Sequence, residues 1–69
     1  MHLECILNKL LKENGIKQRF IAQKASISEG TLSLIIRGKT LPTLPVAFKI
    51  AEIVGKPIEE IWIKKEPTE

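Results

Sequence analysis

The spacing between residues 18 and 37 constrains this chain most. Gln18 to Ala25 forms one short helical segment, and Ser28 opens another that runs to Arg37. Only a turn of about three or four residues separates them. Helices joined so tightly must cross at an angle and bury the inside of that angle. The residues suit this requirement. Ile21, Ala25, Ile27, Leu32 and Ile35 are apolar at spacings that fill the crossing, and Ala22 is small where the two backbones approach. Ser28 is a good N-cap, because its hydroxyl accepts from an otherwise unpaired backbone N–H of the first turn. Glu29 suits the positive end of the helix.

The remaining punctuation is as clear. Asn14-Gly15 closes a segment over residues 3–13, as a helix C-cap should. Its Leu3, Ile6, Leu7, Leu10 and Leu11 fall in an i, i+3, i+4, i+7, i+8 stripe, with Lys9, Lys12 and Glu13 off it. Residues 18–25 carry Phe20 among their apolar positions, and Gly38 closes the segment after them. Pro42 sits in the connection Thr40-Leu-Pro-Thr43. Thr43 then caps a helix over 44–54, whose Pro45 is acceptable in the first turn. This helix is apolar nearly all round, with Lys49 and Glu52 on one narrow face, and is expected at the centre of the fold. Gly55-Lys-Pro57 leads to a short last helix over 57–62. Residues 63–69 read as a polar tail, with a short strand through Ile61 and Ile63 as the alternative. The expected fold is all-α: one domain over residues 1–62, five short helices, no need for a sheet.

Composition narrows the function classes. A chain of 69 residues buries only about 60% of its unfolded surface, so its stability is modest. It leaves no room for a separate sensor domain, so control is expected from expression level, dimerisation or a protein partner. Hydrophobic residues make up 43% and charged residues 28%, the balance of a globular domain rather than a disordered one. No apolar run approaches the ~18 residues of a membrane span, and Met1-His2-Leu3-Glu4 lacks the basic stretch of a secretory signal. Cys5 is the single cysteine, which excludes an internal disulfide and points to the reducing cytoplasm. It falls opposite the Leu3–Leu10 stripe and reads as a surface thiol.

Catalysis finds no support. There is no nucleophile–base arrangement, no phosphate-cradling glycine loop and no metal-ligand spacing. His2 beside the terminus is not read as a ligand, and Glu59-Glu60 reads as a solvated helix start. Neither cofactor nor metal is expected. Charge is more informative. Residues 9–39 hold seven bases against two acids, net +5, whereas residues 40–69 are net −1. A basic half suits a polyanionic partner, although lysines that merely solubilise helix surfaces give the same count.

Taken in order, these residues resemble the lambda-repressor-like (phage repressor and Cro) helix-turn-helix domain, from about Leu3 to Trp62. The resemblance is carried by Gln18 opening helix two, Ala22, Ser28 capping helix three and Arg37-Gly38-Lys39 closing it. Pro42 before the fourth helix, Ile50-Ala51 leading to Gly55, and Ile58-Glu-Glu-Ile-Trp62 complete it. It implies double-stranded DNA as partner and a transcriptional regulator of phage or mobile-element type. It implies that Gln18 bonds a phosphate and braces the first bases, and that Arg37 to Thr40 grips the backbone. Lys17 and Arg19, more generic cations, complete an expected phosphate set of Lys17, Gln18, Arg19, Arg37, Lys39 and Thr40. The face expected against bases is Ser28, Glu29, Gly30, Thr31, Ser33 and Leu34. Relatives mostly carry glycine where this chain has Ser26, because the turn tends to need a positive φ.

Helical geometry points the same way. At about 100° per residue, Leu32, Ile35 and Ile36 share one arc, and Gly30, Ser33, Leu34 and Arg37 lie roughly opposite. That outer face lacks the Gln or Asn that pairs with adenine. Leu34 suits only a thymine methyl, Glu29 accepts only from a cytosine amine, and Gly30 offers close backbone approach. Specificity is therefore expected to be low, water-mediated or read through DNA shape. The alternative left open is a helix-turn-helix that binds protein through Leu34 and its neighbours, for instance as an anti-repressor. The expected assembly is a homodimer, weak and stabilised on DNA, with its interface drawn from the apolar surplus at Phe48, Ile53, Ile61, Trp62 and Ile63. For Trp62, core and interface weigh equally.

Overall fold

In the computed structural model, which describes residues 2–65, a short strand precedes five helices and a second strand follows them. The order is β1 (His2–Cys5), α1 (Leu7–Asn14), α2 (Gln18–Ala25), α3 (Glu29–Ile36), α4 (Leu44–Val54), α5 (Ile58–Ile61) and β2 (Trp62–Lys65). The strands pair antiparallel, with His2 opposite Lys65, Leu3 opposite Lys64, Glu4 opposite Ile63 and Cys5 opposite Trp62. Among the described residues no helix is long and apolar enough to cross a membrane.

The fold is mostly helical as expected, and the strand pair corrects two details. The helix expected over residues 3–13 begins only at Leu7, and the tail expected from residue 63 starts as a strand. Residues 66–69 of that tail lie outside the described residues. The Leu3-Glu4-Cys5 segment fits the period of a strand as well as that of a helix. Leu3 and Cys5 are half-buried against the core while Glu4 is exposed, the alternation of a strand with one wet face. At Ile6 the two periods part. Its backbone sits at φ −105°, ψ 18°, and its N–H donates to the Ile61 carbonyl at 2.9 Å. Trp62-Ile63, aromatic and β-branched, favours the extended partner. Cys5 is consequently not a surface thiol. Burial pushes its pKa up, partly offset by a backbone hydrogen bond at Leu7.

Every helix supplies the core. Leu7, Ile21, Leu32, Ile35, Ile50 and Ile61 are essentially removed from solvent, a burial worth roughly 1.5–3 kcal/mol for each such side chain. Helix α4 packs against α1, α2 and α5, with Ala47 and Ala51 on its inner face. It is central but not covered all round, because Leu44 and Phe48 remain 64% and 60% exposed. Ile61 and Trp62 are buried inside the protomer. The Trp62 Nε1 has no hydrogen-bond acceptor among the described residues, a cost its packing must offset.

The turn between α2 and α3 is fixed by backbone bonds. Ser26 follows α2 in the left-handed region at φ 59°, ψ 41°. There its N–H donates to Gln23 O at 3.2 Å, and the Ile27 N–H donates to Ala22 O at 3.0 Å. These two bonds close the helix as a Schellman cap. Ile27, half-buried, packs against the core on the far side of the turn. A serine Cβ is strained in this region. Ser26→Gly is therefore expected to stabilise the domain by about 0.5–1 kcal/mol. Equilibrium denaturation of both proteins reads the sign, and a loss of stability contradicts strain at Ser26.

Candidate nucleic-acid interface

Helix α3 starts where Ser28 caps it. The Ser28 Oγ accepts from the Thr31 N–H at 3.0 Å and donates to Thr31 Oγ1 at 2.9 Å. Leu32 and Ile35 then anchor the inner face in the core. The outer face is left to solvent: Glu29, Gly30, Thr31 and Leu34 are exposed and Ser33 is half-buried. Leu34 stands out as a large apolar side chain 40% exposed. The residues expected against bases thus lie on one accessible helix and its cap, but they are not equally free. Ser28 is committed to the cap, and Thr31 shares its hydroxyl with it. Glu29, Gly30 and Leu34 carry what chemistry remains, with Ser33 beside them.

The residues expected on phosphates flank this helix from two sides. Lys17 precedes α2 and Gln18 and Arg19 open it; Arg37 caps the end of α3, with Lys39 and Thr40 just beyond. All six are exposed. The Lys39 N–H donates to Leu34 O at 2.9 Å, which fixes the start of that segment on α3. Arg19 has a partner within the protein, because its Nε lies 3.4 Å from Glu29 Oε2. Both side chains are well exposed, so the pair contributes little to stability, about 0–1 kcal/mol.

Some features were not legible from spacing. Phe20, read as an apolar position of α2, is largely exposed, and Lys24 sits one turn on with its Nζ 5.5 Å from the ring centroid. The i, i+4 spacing permits such a cation–π contact without requiring it. A second apolar surface lies away from α3. Leu41 and Leu44 rim a groove floored by Leu3, Ile58 and Trp62, and Phe48 is one turn beyond Leu44 on α4. The signal for it is the run Leu41-Pro-Thr-Leu44-Pro45, where apolar residues fall in the connection before α4 and in its first turn. Of the five expected interface residues, Ile61 and Trp62 belong to the core. Ile53 and Ile63 are half-buried, and Phe48 is exposed. At about 100° per residue, Phe48 and Ile53 also point to opposite flanks of α4.

A helix-turn-helix family profile matches residues 7–61, covering all five helices. The chain belongs to the lambda-repressor-like helix-turn-helix family. An HTH-type transcriptional regulator of Methanocaldococcus jannaschii, itself described as uncharacterised, is 38% identical over 53 residues, covering 77% of this chain and 80% of that protein. The crystal structure of a transcriptional regulator from Listeria innocua superposes with a TM-score of 0.75 at 24% identity, covering 90% of this chain. This chain spans 58% of the Listeria one, and at that identity the likeness is one of fold.

Gly30 is the member of the family's outer face that the fold does not explain. A Cβ built there meets only the Ser28 Oγ, at 3.9 Å. Glycine inside an exposed helix weakens it relative to alanine. Gly30→Ala is accordingly expected to raise stability by up to about 1 kcal/mol, measured by thermal or denaturant unfolding. An unchanged or lowered stability means that the backbone at Gly30 serves the fold after all.

Proposed function

We propose that this chain is a transcriptional regulator that binds double-stranded DNA, with α3 in the major groove and cations at both ends of the helix pair on phosphates. One observation carries the reading. The outer face of α3 has no packing role, is held rigidly by its cap and core, and is bordered by Lys17, Arg19, Arg37 and Lys39, all exposed. A rigid exposed helix between cations matches a groove between phosphate backbones. The name of the Methanocaldococcus relative, an HTH-type transcriptional regulator, supports the same function. In this reading the protein is a cytoplasmic repressor of the phage or mobile-element kind, blocking promoter DNA by occupying it.

The DNA-bound form in this reading is a homodimer on half-sites about 34 Å apart. Its interface is revised from the sequence-based one. Leu41, Leu44 and Phe48 present large exposed apolar side chains, whereas Ile61 is fully buried and Trp62 nearly so. A second reading rests on Leu34, whose exposure also suits a protein partner; the helix-turn-helix would then act as an interaction module or anti-repressor.

Two measurements test these statements. If each subunit neutralises about three phosphates, a dimer neutralises about six, and log affinity falls against log salt with a slope near −5. Arg37→Ala or Lys39→Ala flattens that slope by up to about two units per dimer, while Gln18→Ala weakens binding without changing it. A slope near zero, with Leu34→Asp abolishing binding to a protein, establishes the second reading instead. For assembly, Leu44→Asp is expected to leave unfolding unchanged and weaken dimerisation on the order of tenfold or more, read by sedimentation on and off DNA. One-to-one binding to every duplex at high protein concentration rules the dimer out.

A further inference from the structure

We propose that Arg19 and Glu29 act together to select cytosine at one position of each half-site, Glu29 as the reader and Arg19 as its positioning residue. This deepens the DNA-binding reading and rests on it. Glu29 is the first residue of α3 and Arg19 the second of α2, so the pair spans the two helices at the end where α3 begins. The contact runs from Arg19 Nε to Glu29 Oε2 at 3.4 Å. Both side chains are well exposed, so the pair is open to a ligand on its solvent side.

A glutamate at the head of a recognition helix presents a difficulty. An isolated carboxylate is repelled by the phosphates that line a groove, and a flexible one reads nothing. Arg19 answers both. Its charge offsets that of Glu29 at short range, and in a dehydrated groove the pair tightens and gives the carboxylate a defined direction. The remaining guanidinium N–H groups can still donate to a phosphate, since arginine presents its donors as a fixed fork. One side chain then ties the reader to the DNA backbone. The pair contributes little to folding in water, and its worth arises when the groove is dehydrated and both charges lose solvent.

The base it selects follows from the chemistry of a carboxylate, which only accepts. Guanine offers N7 and O6 to the major groove and thymine offers O4, all acceptors that repel it. Adenine has an N6 donor, but beside it the N7 acceptor. Cytosine presents the N4 donor and is the favoured partner. The rest of the outer face supplies no competing reader at this end. Ser28 is held in the cap, and Gly30 has no side chain.

The experiment is enrichment of a randomised duplex library by the full chain at low salt. The wild type is expected to select cytosine at one position per half-site by roughly tenfold over other bases. Glu29→Gln moves that preference to adenine, and Glu29→Ala flattens it while sparing other positions. Arg19→Ala lowers both affinity and the cytosine preference, and Arg19→Lys, which keeps the charge but not the fork, recovers affinity more than the preference. In the Glu29→Ala background, Arg19→Ala costs affinity alone, which isolates the coupling. A preference that ignores Glu29 overturns the proposal, as does an Arg19→Ala variant weakened equally on all sequences; in both cases DNA binding itself stands. Failure of the wild type to retain any duplex at low salt overturns the DNA-binding reading and the pair's role with it.

Discussion

Ala22 is almost completely buried on α2, which packs against both α3 and α4, and the presentation of α3 depends on how closely α2 sits against them. A larger side chain there pushes the helices apart and changes the crossing angle. The turn adds a second restraint, because Ser26 reverses the chain in the left-handed region while Ile27 is tied back to Ala22 by its own N–H. With Leu32 and Ile35 inside, rotation of α3 about its axis would bring polar groups into the core. The inner face is therefore fully specified. The outer face bears none of these demands, which lets a chain of this family place reading chemistry there without disturbing the fold.

The two-stranded ribbon serves the same end from a distance. By pairing Cys5 with Trp62 and donating from Ile6 to Ile61, the chain closes α1 and α5 over the far side of α4. That brings Ile61 and Trp62 into the core, a substantial addition for a domain with so little interior. The closure also decides which apolar residues stay outside. Leu41 and Leu44 sit on the rim of a groove whose floor includes Trp62 and Leu3, so the ribbon that completes the core also builds the wall of the exposed apolar face.

Where local chemistry fixed an element, the sequence was enough. Helix α2 and helix α4 occupy the expected spans, and α3 starts one residue after its cap, because Ser28, Gly55 and the two prolines act within a turn of their own positions. The ribbon was not legible in the same way. Leu3, Ile6 and Leu7 satisfy a helical stripe, and only the remote Trp62-Ile63 strand tips residues 2–5 to extended backbone. Exposure along α4 was lost for a related reason. Ala47, Ile50, Ala51 and Val54 already fill its inner arc, so an apolar Leu44 or Phe48 has nowhere to bury, and composition alone does not say which apolar residues are surplus. At the candidate interface, resemblance and periodicity named residues that the structure leaves exposed on and beside α3, half-buried Ser33 excepted. They did not reveal the Arg19–Glu29 pair or the Lys24–Phe20 contact, which depend on how α2 and its side chains lie in space.

On the DNA-binding reading, the poverty of the α3 face makes dimerisation matter for specificity as well as affinity. Phosphate contacts from Lys17, Arg37 and Lys39 strengthen binding to every sequence alike. Discrimination falls to Glu29 and Leu34, with the Gly30 backbone allowing close approach. One good base contact discriminates by roughly 1–3 kcal/mol, and two such contacts in a single half-site compete poorly with the mass of non-specific duplex. A second copy repeats the same readout at a fixed spacing and doubles the discrimination, provided the two domains are coupled. The apolar surface at Leu41, Leu44 and Phe48 is the part of the molecule suited to that coupling, and α2 packs against both α4 and α3. On that reading a sparse reading face and an exposed apolar face belong to one design, in which a dimer compensates for how little each subunit reads.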